Sequence, residues 1–253
     1  MRRLDNKTAI ITGGTSGIGR STVLNFVEQG AKVLFTGRDQ LRADETLEMV
    51  RKLGSSAKFV KHDIADQDDW IKVMNEAKSY FGTLDICVNC AGVFTYGAIE
   101  DTSIESFKNM WRINVDGAFL GIKNAMAAMV DNPNGGAIVN VASLSGLVGH
   151  ASVVSYCTSK AGVIMLSKVA AMEAGPKIRV NAVAPGPVWN ELLERAHAND
   201  DIDAMKEFYR NDQPLKVLGS SQDVSMAIVY LASDEASKVT GTVLRIDAGR
   251  GSD

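Results

Sequence analysis

Residues 8–21 read "TAIITGGTSGIGRS", and this stretch decides the fold. Thr8–Thr12 is a short apolar and β-branched run with the composition of a buried strand. It passes directly into Gly13, Gly17 and Gly19, spaced G-x-x-x-G-x-G, and a helical pattern begins there. Glycines at such a junction permit a tight turn and let the main chain approach a pyrophosphate. The helix that follows offers free N–H groups and the positive end of its dipole. A glycine cluster alone says little. Between a first strand and a helix it points to a dinucleotide-binding unit.

Outward from there, strands and helices alternate. The runs "KVLFT" (32–36), "KFV" (58–60), "DICVN" (85–89), "AIVNVA" (137–142), "IRVNAVA" (178–184) and "TVLRI" (242–246) are nearly continuous in apolar residues. Parallel strands covered on both faces have that character. Trp70, Val73, Met74, Ala77 and Phe81 recur at helical spacing, with Asp66 placed to cap that helix and Gly82 to end it. The expected fold is α/β: a doubly wound Rossmann-type parallel sheet of about seven strands with helices on both faces. No repeat or linker divides the chain, so residues 1–253 are expected to form a single domain.

Composition narrows the function. The 253 residues are 45% hydrophobic, enough for a large core, and a net charge of -3 leaves no broad basic field for nucleic acid. No apolar run is long enough to span a membrane, and the two N-terminal arginines precede no apolar signal core, so a cytoplasmic location is expected. Three cysteines argue against a disulfide framework. Cys87 and Cys90 have a metal or redox spacing. Positions i and i+3 of a strand face opposite ways, however, so the two read as small buried residues and no metal site is expected. Segments 104–130 and 155–174 are apolar or small around most of their circumference. The sheet covers one side of each, and a partner subunit would cover the other, so a homo-oligomer (tetramer or dimer) is expected.

The second strand bears on the cofactor. An acidic residue at its end bonds the ribose 2′-hydroxyl of NAD. In "LFTGRDQ" that position aligns with Gly37, followed by Arg38, whose guanidinium suits a phosphate. NADP(H) is favoured. A register two residues later would put Asp39 there and favour NAD(H). Asp63, in "VKHDIAD", read alone either caps a helix or binds a ligand.

In "SYCTSK", Tyr156 and Lys160 are four residues apart and share a helical face. Such a pair is common and by itself means little. Its company is specific. The chain resembles the short-chain dehydrogenase/reductase family along nearly its whole length. The matching pieces are "TGGTSGIG" (12–19), Asp63, "NCAG" (89–92), Asn114 in "INVDG", Ser143 in "VNVAS", "YCTSK" (156–160), "PGPV" (185–188) and "DAG" (247–249).

The resemblance implies roles. Tyr156 would be the acid/base and Lys160 would lower its pKa and bond the nicotinamide ribose. Ser143 would bond the substrate carbonyl, and Asn114 would hold a water that relays protons. Gly13, Thr15, Ser16, Gly17, Ile18, Gly19 and Arg38 would contact the cofactor. So would Asp63 and Ile64 at the adenine, Asn89, Ala91 and Gly92, and Pro185, Gly186 and Val188, whose backbone would bond the carboxamide. Two positions depart from the family pattern. Cys90 stands where the second asparagine of Asn-Asn-Ala-Gly is usual. Asn190 stands where a threonine often bonds the carboxamide, and its amide could take over that contact.

The chemistry accounts for these residue types. Carbonyl reduction needs a hydride from the cofactor and a proton from the protein. Bringing a tyrosine from about 10 to about 7 requires about 4 kcal/mol, which one cation at about 4 Å supplies at an effective dielectric of about 20. The expected activity is hydride transfer between NADP(H) and a ketone/secondary alcohol pair. An NAD-dependent alcohol (sugar, steroid or hydroxyacyl) dehydrogenase is an alternative. A non-catalytic nucleotide sensor is another, disfavoured by the presence of all four catalytic residues. Residues 189–213, with Trp189, Leu192, Leu193, Met205, Phe208 and Tyr209 among many charges, would form a lid over a small-molecule substrate. His150 and His197 fall in expected loops and receive no role.

Overall fold

β1 (Thr8–Thr12) lies at the centre of one parallel sheet, flanked by β2 (Lys32–Gly37) and β4 (Ile86–Asn89). The computed structural model describes residues 2–252. With β3 (Ala57–Lys61), β5 (Gly136–Val141), β6 (Ile178–Pro185) and β7 (Val243–Ile246), the order is β3-β2-β1-β4-β5-β6-β7. Each expected strand is present, with its ends within one residue of the sequence reading. The chain reverses direction across the sheet between β1 and β4. That opens a crevice at the carboxyl ends of the strands, where doubly wound sheets bind ligands.

Nine α-helices lie among the described residues: α1 (Gly17–Glu28), α2 (Gln40–Lys52), α3 (Gln67–Phe81), α4 (Ile104–Trp111), α5 (Gly117–Met129), α6 (Val154–Ala174), α7 (Glu191–Ala196), α8 (Ile202–Asn211) and α9 (Ser221–Ala232). The strand pleat sorts side chains between two cores. Ala9 and Ile11 pack with Val23, Phe26, Val224 and Ile228 on one face. Ile10 packs with Val73, Ala77, Ile122 and Ala125 on the other. Each fully buried Val, Ile or Phe side chain among them contributes about 1.5–3 kcal/mol. α3 starts as expected: Asp66 accepts from the N–H groups of Asp68 (2.8 Å) and Asp69 (2.9 Å). Gly82 ends it at φ +85°, a conformation that favours glycine.

Cys87 belongs to the second core, while Cys90 packs against the first. The sulfurs therefore diverge, as strand parity requires. Burial pushes both thiols up to about 12.

The segment 104–130 is not one regular helix. Five residues, Arg112–Asp116, form a π-helical turn between α4 and α5, and Asn114 is its buried member. Such turns concentrate at functional sites. Here it turns a carboxamide inward, toward the segment after β4 and α6. Phe119 on α5 and Met165, Val169 and Met172 on α6 stay exposed, Met172 at 87%. No helix among the described residues is long and apolar enough to cross a membrane.

Candidate active site

The crevice is a cleft of about 890 Å³, within the range that holds small ligands. At one end lies the glycine loop. A Cβ at Gly19 would sit 2.1 Å from the Gly13 carbonyl oxygen, so only glycine lets α1 start this close to the turn. Ser16 precedes α1 without capping it by its side chain. The Gly17 N–H instead donates to Glu191 Oε2 at 2.9 Å. The loop thus already holds an anion, and its donors fit a cofactor's diphosphate.

The end of β2 sets the adenosine side. At Gly37 a Cβ would meet Thr15 Cγ2 at 2.6 Å, so no acidic side chain fits there. Arg38 is exposed at the cleft. Asp39 is occupied: it caps α2, accepting from the Arg42 N–H at 3.2 Å, and its carboxylate lies 3.5 Å from Arg42 Nε. Asp63 accepts from the Ala65 N–H at 3.0 Å and faces Arg112 at 3.9 Å while lining the same cleft with Ile64. Beside it His62 is buried. Its Nδ1 pairs with Thr36 Oγ1 at 3.0 Å, and its Nε2 has no partner. Burial holds it down to about 4, so it is neutral at pH 7.

Ser143, Tyr156 and Lys160 meet the cleft from β5 and α6. Ser143 lies two residues past β5 and caps a short turn, accepting from the Ser145 N–H at 3.1 Å. That turn packs directly on α6: a Cβ at Gly146 would lie 2.6 Å from the Lys160 carbonyl carbon. One close contact therefore brings the serine to the tyrosine. Phe94 stacks edge-on against Tyr156, ring centroids 4.8 Å apart. Lys160 donates to the Val141 carbonyl at 2.8 Å, with its ammonium 5.7 Å from the Tyr156 ring centre.

The expectation from sequence is that Lys160 lowers Tyr156. In the folded chain burial dominates both groups, pushing Tyr156 up to about 12 and Lys160 down to about 8. The Ser143 hydrogen bond works against the rise at Tyr156 without reversing it. The reason is mutual: the lysine loses water along with the phenol, so its own charge is penalised.

Asn114 faces inward rather than into the main cleft. Its Oδ1 accepts from the Val93 N–H at 2.8 Å, and its Nδ2 donates to the Val93 carbonyl (3.0 Å) and Ser159 Oγ (3.1 Å). It clamps the segment after β4 to α6. A second cavity of about 10 Å³ lies behind Lys160, bordered by Asn114, Thr12 and Asn89. That volume is about one water molecule's.

Gly13, Thr15, Ser16, Gly17, Ile18, Gly19, Ala91, Gly92, Pro185, Gly186 and Val188 all line the main cleft. Asn89 does not. Its Nδ2 donates to Asn140 Oδ1 at 2.8 Å, and its side chain fills the space against Gly121 on α5. Its side chain ties β4 to β5. Asn190 is likewise committed: its Oδ1 caps α7, accepting from Leu192 (3.0 Å) and Leu193 (3.4 Å). Sequence reasoning gave no role to a cluster at the cleft's far wall. Buried His197 holds Asp200 by Nδ1 at 2.7 Å and meets Tyr96 and Tyr209 hydroxyls by Nε2 at 2.8 and 2.9 Å. His150 faces Arg250 at 3.2 Å. Tyr96 and His197 are 101 residues apart and His150 and Arg250 are 100 apart, so no spacing announces these pairs.

A family model described as Enoyl-(Acyl carrier protein) reductase matches residues 13–250. The chain is 35% identical over 254 residues to an NADP-dependent (R)-specific alcohol dehydrogenase of Lentilactobacillus kefiri, covering 98% of this chain and 97% of the relative. It is 36% identical over 248 residues to a 2,5-dichloro-2,5-cyclohexadiene-1,4-diol dehydrogenase of Sphingobium indicum, covering 98% and 97%. The crystal structure of a short-chain type dehydrogenase/reductase from Mycobacterium marinum superposes with a TM-score of 0.92 at 33% identity, over 98% of this chain and 96% of that one.

Proposed function

The chain belongs to the short-chain dehydrogenase/reductase family, and on that premise we propose that it reduces a ketone to a secondary alcohol with NADP(H). As a family member it is an oxidoreductase acting on alcohols. The observation that carries the finer reading is the meeting of Ser143, Tyr156 and Lys160 in the cleft that the glycine loop closes at its other end.

A bound reduced nicotinamide supplies the hydride to the carbonyl carbon. Tyr156 gives its phenolic proton to the carbonyl oxygen as that bond forms. Ser143 donates a hydrogen bond to the same oxygen, stabilising negative charge without bringing any. Lys160 restores the phenolic proton, and a water in the small cavity beside Asn114 would link it onward. Gly37 without a side chain, exposed Arg38 and a capped Asp39 support a 2′-phosphate. The lid at 189–213 would close on the substrate through Leu193, His197 and Tyr209. Its aromatic wall favours a partly apolar carbonyl compound. Exposed Phe119, Met165, Val169 and Met172 support self-association.

The test follows reduced-nicotinamide absorbance over a carbonyl panel with each cofactor. Tyr156→Phe is expected to lose turnover by 10²-fold or more while binding the cofactor as before. A Phe variant as fast as the parent would overturn the mechanism.

A further inference from the structure

We infer that Glu191 is an internal stand-in for the cofactor's diphosphate: its carboxylate latches the lid to the glycine loop, and an arriving dinucleotide displaces it. This rests on the reading above that the loop binds a nicotinamide cofactor.

The contact is specific. Glu191 Oε2 accepts from the Gly17 N–H at 2.9 Å across 174 residues of sequence. Gly17 is the first residue of α1, where unsatisfied N–H groups and the dipole favour an anion. The second carboxylate oxygen lies 3.8 Å from Arg20 NH1. Arg20 in turn donates to the Thr15 carbonyl at 2.6 Å, so it grips the same loop. On the lid side, Asn190 caps α7 and fixes Glu191 as its first residue. The Asn190 amide lies 3.4 Å from where a Gly17 Cβ would be, so the lid rests on the loop itself.

A diphosphate and this carboxylate would compete for one amide. The lid's other end is held independently, by the Tyr96, His197 and Tyr209 cluster. Displacing Glu191 frees one end while the other stays fixed. Cofactor arrival is thereby coupled to the lid that covers the substrate side of the cleft.

The experiment uses the full chain as wild type, Glu191→Ala and Glu191→Gln. Calorimetry measures the affinity for NADPH and for inorganic pyrophosphate. Hydrogen exchange measures protection of lid amides 190–196 without ligand and with saturating pyrophosphate. Removing an internal anion from a helix N-terminus should tighten both ligands by about three- to tenfold for Ala, and less for Gln. The ligand-free Ala lid should exchange faster than wild type, and pyrophosphate should speed exchange in wild type alone. Equal or weaker affinity in Glu191→Ala would overturn the latch. So would tighter binding with unchanged lid exchange, which would mean repulsion through space. In both cases cofactor still binds. If neither wild type nor variants bound NADPH or NADH, the functional reading would fall and this one with it.

Discussion

Lys160→Met should yield a protein that is more stable than the parent at pH 7 and inactive. Lys160 is 5% exposed, and burial pushes it from 10.5 down to about 8. At neutral pH it is therefore carried charged where charge is disfavoured. The shift corresponds to a cost of about 3 kcal/mol at 1.36 per pH unit. Methionine keeps the length and removes the charge, but it also removes the bond to the Val141 carbonyl, worth about 1 kcal/mol. The variant should gain about 2 kcal/mol at pH 7. The unfolded chain binds the extra proton between about pH 8 and 10.5, so the cost to the parent fades as pH rises through that window. Above it the variant should be the less stable by about 1 kcal/mol, the value of the lost bond. Cys87, Cys90 and Tyr156, all pushed up to about 12, lower the stability of both proteins at alkaline pH. Cys87 cancels in the difference, but the Lys160 charge lowers Cys90, so removing it raises Cys90 further and moves the gap in the same direction as pH rises. Urea unfolding of both proteins from pH 7 to 11 measures it. A variant less stable than the parent at pH 7, or a gap that does not move with pH, would refute the buried-cation account.

Arg38→Ala should weaken NADPH by about tenfold or more, the loss of a charge-assisted bond, and leave NADH unchanged in a binding titration. His62 is held from 6.5 down to about 4, so the unfolded state binds its proton first and stability falls as pH drops through that window. His62→Phe should flatten that acid limb by about 3 kcal/mol in unfolding experiments at pH 4 and 7. Met172→Glu should shift an oligomer toward smaller species in light scattering, since Met172 is 87% exposed on a helix that also exposes Met165 and Val169.

The strands were legible because burial on both faces leaves unbroken apolar runs. Ser143, Tyr156 and Lys160 were legible through the family resemblance, since by spacing alone they are a strand-end serine and an ordinary helical pair. Where the Asn89 side chain goes was legible from parity: it shares a strand face with Cys87, which looks toward α5. The acidity of Tyr156 was not legible, since it depends on how much water both partners lose. Nor was the far wall of the cleft, where Tyr96 meets His197 across 101 residues. Glu191 gave no sign either, because a surface glutamate at a helix start is ordinary until the N–H that donates to it, that of Gly17, is known.

The π turn at Arg112–Asp116 acts as a phase corrector. At about 100° per residue, a regular helix through this region would set Ala118, Ile122, Ala125 and Met129 about 60–120° around from Met110. The extra residue in the turn takes up about 100° and brings all five within about 40° of one line. All five are buried. Two stripes offset in this way look like a segment apolar on every side when read as one helix. Deleting a residue at 112–116 would keep the helix and rotate α5 away from its core.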